Sequence, residues 1–90
     1  MILNIEYSNN FKKDYDKIKK QGKNLANFSK ILKILSNNEP IPTKYKDHPL
    51  KGELKDYREL HIQPDWLLIY QISGDTLSLI GTGSHSYLFG

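Results

Sequence analysis

Three histidines, all after residue 47, are the residues of this chain best suited to acid–base work near neutral pH. His48 lies in the proline-bounded segment Lys46-Asp47-His48-Pro49-Leu50, His61 in the alternating run Tyr57 to Gln63, and His85 in Gly83-Ser84-His85-Ser86. Asp65 and Trp66 follow Pro64, at the tip of the hairpin that carries His61, so His61 and Asp65 can be neighbours. Such a set suits cleavage of RNA without a metal. A base takes the proton from a ribose 2′-OH, an acid protonates the departing 5′-oxygen, and a cation or hydrogen-bond donor steadies the phosphorane-like charge between them. Each well-placed acid or base contributes roughly 10²–10⁴ in rate.

The surroundings of these residues fit the same chemistry. Lys44, Lys46, Lys51 and Lys55 flank His48 and could hold phosphates. Tyr57, Trp66, Tyr87 or Phe89 could stack on bases of a single strand. Plainer readings compete: a histidine bonded at the surface, Trp66 in the core, and Tyr87-Leu88-Phe89 as a tail that packs down. Zinc fits poorly. The histidines stand 13 and 24 residues apart with no His-x₃-His pair, and the chain has no cysteine. No metal or other cofactor is therefore expected.

Charge is divided unevenly. Residues 1–55 hold all 12 lysines and carry +6, and residues 56–90 carry −3. A basic first half suits a polyanion or an acidic protein partner; a lysine-coated solvent surface is the alternative. Ninety residues with 38% hydrophobic content predict a single domain over 1–90. The absence of cysteine fits a reducing cytoplasm. Met1-Ile2-Leu3 gives way at once to polar residues and no long apolar run follows, so neither a signal peptide nor a membrane partner is expected.

These side chains need a scaffold, and its elements follow from periodicity. Ile2 to Tyr7 reads as a strand, and Ser8-Asn9-Asn10 as a helix cap. Phe11, Tyr15 and Ile18 lie at helical spacing up to Gly22. Leu25, Phe28, Leu32 and Leu35, widened by Ile31 and Ile34, form the stronger second helical face. Pro40, Pro42 and Pro49 make 40–52 a loop. Tyr57 to Gln63 alternates, with His61 facing opposite to Leu60 and Ile62, away from the core. Trp66 to Ile72 is the most hydrophobic strand and is predicted central. Ser73-Gly74-Asp75 turns the chain, Thr76 to Ile80 returns, and Gly81 to Gly90 reads as a polar turn with an aromatic tail. Helices gathered ahead of strands predict an α+β domain: a first strand and a helical hairpin packed on a mainly antiparallel sheet, with the other face left for a site.

Over nearly its whole length the chain resembles the YafQ branch of the RelE/ParE toxin superfamily. The resemblance rests on Ile5-Glu6-Tyr7-Ser8, on Lys44-Tyr45-Lys46-Asp47-His48-Pro49-Leu50-Lys51-Gly52, and on Tyr57-Arg58-Glu59-Leu60-His61. It continues through Gln63-Pro64-Asp65-Trp66-Leu67-Leu68-Ile69-Tyr70, Thr82-Gly83-Ser84-His85 and Leu88-Phe89-Gly90. It implies a RelE-like fold and a ribosome-dependent endoribonuclease that cuts messenger RNA in the decoding site. An acidic, partly disordered antitoxin of the DinJ or RelB type is implied too, with operator DNA bound only through the toxin–antitoxin complex. By motif, His48, His61, Asp65 and His85 match the catalytic positions, and Trp66 and Phe89 match residues that shape the site. His85 is then assigned as general acid, Asp65 or His61 as base, and His48 as the orienting or charge-stabilising group.

One position departs from the pattern. The family usually places an arginine four residues before the last histidine, where this chain has Gly81. An arginine there can fork against a phosphate. A weakened enzyme, compensation by a lysine such as Lys46 or Lys51, and an inactivating substitution all remain open. So does a non-catalytic RNA- or ribosome-binding module, or a protein-assembly domain of the same fold. Convergence of the histidines separates an enzyme from those, because a binding module gains nothing from clustered acid–base groups.

Overall fold

A computed structural model describes residues 2–90. Ser8 accepts the Phe11 N–H at 2.9 Å and so caps helix α1 (Asn9–Lys20), directly after strand β1 (Asn4–Tyr7). Three lysines in the last turn of α1 complement its dipole, and Gly22, at φ +76°, supplies the left-handed turn that ends it. Asn24 caps helix α2 (Leu25–Ser36) by accepting the Ala26 N–H. Phe11 and Ile18 from the first helix meet Phe28, Ile31 and Leu35 from the second, and together they bury one face of the sheet.

That sheet has the order β1-β5-β4-β3-β2, built from β2 (His48–Pro49), β3 (Arg58–Gln63), β4 (Trp66–Ser73) and β5 (Thr76–Gly83). Only the β1–β5 pairing is parallel, and β4 is central as expected. Leu60, Leu68, Leu77, Leu79 and Tyr70 pack beneath the helices. Gly74, at φ +60°, allows the two-residue turn between Ser73 and its partner Thr76.

Two expectations are corrected. The segment 40–52 is not all loop. Thr43–Tyr45 and Gly52–Leu54 form 3₁₀ turns, and His48–Pro49 pairs with Glu59 and Arg58 as an edge strand, where a proline is tolerated. The end of the chain is neither turn nor tail. β5 runs on through Gly83, and Ser84 then accepts the Tyr87 N–H to cap a third helix, α3 (His85–Phe89). No helix among the described residues is long and apolar enough to cross a membrane.

Candidate active site

The register of the sheet sets out the site in rows. His48, Glu59, Ile69 and Gly81 are successive Cα partners across β2, β3, β4 and β5. His61, Leu67 and Gly83 form the next row. Residues directly opposite in antiparallel strands project to the same face. Leu60 and Ile62 enter the core, so His61 stands on the face away from the helices, as its alternation requires.

His48 and His61 are held alike. The Nδ1 N–H of His48 donates to the Lys46 carbonyl at 2.6 Å, and that of His61 donates to the Pro64 carbonyl at 3.3 Å. Lys46 takes the left-handed conformation, φ +53°, that aims its carbonyl this way. Both Nε2 atoms are thereby left for chemistry. Their rings lie 6.4 Å apart with the carboxylate of Glu59 between them, 3.8 Å from His48 Nε2 and 3.9 Å from His61 Nε2. Glu59 is 5% exposed. A proton on either Nε2 turns the contact with this buried carboxylate into an ion pair. Sequence reasoning missed Glu59, although it shares the strand parity of His61.

The loop bearing His48 is anchored from behind. Asp47 accepts from Arg58 Nη2 at 2.9 Å and Nε at 3.2 Å, and from the Tyr70 hydroxyl. Hydrogen bonding to Asp47 raises the guanidinium of Arg58. Burial, reinforced by Asp47, pushes the Tyr70 phenol far above its usual range. Arg58 is thus committed to the other face of β3 and does not replace an arginine at position 81.

The opposite half of the site stands on α3. The His85 backbone N–H donates to Asp65 Oδ1 at 3.3 Å, and its ring lies 5.1 Å from that of Phe89, one turn on. Asp65 therefore meets His85 through the main chain. Asp14, buried on α1, reaches the same helix: it accepts the Tyr87 hydroxyl at 2.6 Å and the Thr82 N–H at 3.2 Å. The bond to Asp14 raises the Tyr87 phenol, and Lys17 Nζ lies 4.1 Å from the Tyr87 ring centroid. Gly83 lets Tyr87 lie flat here, since a Cβ would come within 2.7 Å of its ring.

The expected residues separate into groups. His48, His61, Asp65 and His85 gather at one end of the sheet, linked through Pro64, Asp65 and the start of α3. They do not share one hollow. A groove of about 400 Å³ takes in His61, Lys44 and Lys46, while His48, Asp65 and His85 stand on open surface. Lys51 is exposed and lies outside the groove. Phe89 is exposed, with its ring against that of His85. Trp66 is not available as a substrate contact: it is 0% exposed, and its indole N–H donates to Thr82 Oγ1 at 2.8 Å. It supports the site from within the core. Gly81 lies in the row of His48 and Glu59, where a Cβ would stand 3.2 Å from Asp14 Oδ2 and 3.5 Å from Leu88. No group of three or more histidine, aspartate or glutamate side chains among the described residues is placed to hold a metal ion.

Residues 3–90 match the family described as the bacterial toxin of type II toxin–antitoxin systems, YafQ. The mRNA interferase toxin YafQ of Escherichia coli K12 is 42% identical over 87 residues, covering 96% of this chain and 95% of that protein. Among solved structures, the toxin in the E. coli DinJ–YafQ toxin–antitoxin complex superposes with a TM-score of 0.93 at 41% identity, covering all of both chains. A metal-bound toxin from Helicobacter pylori superposes at 0.91 with 49% identity, covering 98% of this chain and all of that one. The fold is accordingly the RelE-like one, and the chain belongs to the YafQ family of bacterial toxins of type II toxin–antitoxin systems.

Proposed function

We propose that this chain is the toxin of its pair and cleaves messenger RNA on the ribosome by acid–base catalysis. The observation that carries the proposal is the pair of imidazoles on β2 and β3. Each is fixed through Nδ1, and each presents Nε2 beside the buried carboxylate of Glu59. His61 or Asp65 serves as the base that takes the 2′-OH proton. His85 is the acid for the departing 5′-oxygen, and His48 orients the phosphate or stabilises its charge. Glu59 sets a carboxylate beside either ring, where it can pair with a protonated imidazole. Trp66 and Thr82 brace the strands beneath. Lys44 and Lys46 supply positive charge near the substrate.

The partner is an acidic antitoxin of the DinJ type. The lysines of α1 and α2 favour its encounter, and operator DNA is bound only by the pair. Single-turnover cleavage of ribosome-bound messenger tests the reading. His61→Gln and His85→Gln should each slow cleavage strongly while ribosome binding persists. Cleavage unaffected by both substitutions would sink it.

A further inference from the structure

Beside His61 lies a groove that the proposed reaction uses only through His61, Lys44 and Lys46. The groove of about 400 Å³ runs between α2 and the 3₁₀ turn at Thr43–Tyr45. One wall is Asn27 and Lys30 of α2, and the other is Lys44 and Lys46. Buried Tyr45 and Ile62 contribute apolar surface, and Gln63 closes the end next to His61. Among the described residues no carboxylate lines the groove, and none of its three lysines is in an ion pair. Three ammonium groups around an apolar base therefore lack a protein counter-charge.

This composition matches a nucleotide in three respects. The lysines suit a phosphate as point charges. The apolar surface suits the face of a base, and the Asn27 and Gln63 amides can donate to and accept from its edge. The volume lies within the range of about 300–1,000 Å³ usual for small-ligand sites. Lys46 joins the groove to the catalytic cluster, because its carbonyl fixes His48 while the residue itself lines the groove. An acidic peptide would use the charge but not the amides. Continuity with His61 also favours the strand being cut.

We infer that the groove between α2 and the 43–45 turn holds one nucleotide of the messenger, adjacent to the scissile phosphate, with Lys30 on its phosphate. The inference rests on the ribonuclease reading above, and it adds α2 to the surface that selects and holds the substrate.

The test uses ribosomes programmed with a messenger made uncleavable by 2′-deoxy substitution, so that binding is read apart from cleavage. Lys30→Ala should weaken toxin binding several-fold and reduce the salt dependence by about one phosphate contact. Neutral methylphosphonate linkages are then placed singly around the cleavage site. At one linkage the wild type should fall to the affinity of Lys30→Ala, and the variant should lose nothing more. Asn27→Ala should weaken binding in a manner that depends on the base beside that linkage. A Lys30 deficit equal at every linkage would place Lys30 on the ribosome and overturn the inference. So would unchanged messenger binding with weakened antitoxin binding. Failure of the wild type to cut the all-ribose messenger would count against the ribonuclease reading, while the binding series would still decide the groove.

Discussion

His48 and His61 stand on strands whose rows continue across the sheet to β5, while His85 stands on a helix of five residues at the end of the chain. The first pair is fixed by ring-to-backbone hydrogen bonds, by a buried carboxylate, and by Asp47 tying the segment that bears His48 to Arg58 and Tyr70. A helix of one turn has almost no stability of its own. α3 therefore depends on four outside supports: the Ser84 cap, Asp65 on its first N–H, Asp14 on Tyr87, and Lys17 over the same ring. The difference teaches where the site is tunable. Its sheet half is preorganised by the fold, and its helix half by a few separable contacts.

The largest expected effect falls on both halves alike. Replacing His61 or His85 by glutamine should each cost about 10²–10⁴ in the single-turnover rate. The double variant should lose much less than the product of the two, because groups acting as a unit are not additive. Strict additivity would separate the halves into independent contributions.

Position 81 bridges the comparison: it lies in the row of His48, yet a side chain there would meet Asp14 and Leu88. Gly81→Arg adds a charge-stabilising fork on the site face and should recover part of the about 10²–10³ that one oriented donor contributes. The Asp14 carboxylate must then shift by a few tenths of an ångström, so folding stability should drop by about 1 kcal/mol. Rate and melting temperature measured on the same variant check both. An unchanged rate would mean that Lys46 or another lysine already does this work.

Breaking the supports of α3 sharpens the contrast further. Asp14→Ala leaves the buried Thr82 N–H without its acceptor, which should cost about 1–3 kcal/mol, and it also releases the exposed Tyr87 hydroxyl. Tyr87→Phe keeps the ring and removes only its bond to Asp14. It should speed amide exchange in α3 and slow cleavage, with β3 and β4 unaltered. Equal loosening of the sheet would contradict the separation of the halves.

The sheet half has its own signature in alkali. The protonated Tyr70 phenol is favoured in the fold, so its contribution is complete below the unfolded value of about pH 10. It is lost as the pH rises through the higher folded value. Stability should therefore fall above about pH 10, and Tyr70→Phe should flatten that slope. The smallest expected effect is that of a chelator. With ribosomal magnesium retained, cleavage should not change, because the proposed steps use only acid–base groups. The metal-bound H. pylori relative makes this worth measuring, and rescue by added zinc would contradict it.

Much of this arrangement was legible from residue order. Ser8 and Asn24 cap as their types suggest, and the alternation from Tyr57 to Gln63 places His61 on the open face. What escaped has physical causes. A two-residue strand such as His48–Pro49 has no period to detect. α3 is too short for periodicity, although Ser84 before His85-Ser86-Tyr87 is a capping signal. Charge alone makes Glu59 and Asp14 look solvent-facing. Yet Glu59 shares the parity of His61, and Asp14 falls between Phe11 and Ile18 on the buried stripe of α1. Trp66 has an aromatic face that could stack on a base, but as the first residue of the central strand β4 it enters the core. The row joining His48 to Gly81 depends on pairing register, including the bulge at Ile69/Tyr70, which lies beyond local pattern.

The central claim is that imidazole and carboxylate groups activate the messenger's own 2′-OH, and the ends left by cleavage test it most directly. Attack by the 2′-oxygen expels the 5′-oxygen, so the upstream fragment should carry a 2′,3′-cyclic phosphate or its opened 3′-phosphate. The downstream fragment should begin with a 5′-hydroxyl. A 2′-deoxy nucleotide at the cleavage site should stop the reaction. Upstream 3′-hydroxyl and downstream 5′-phosphate ends, with cutting undiminished by the deoxy substitution, would mean that water is the nucleophile and would contradict the account.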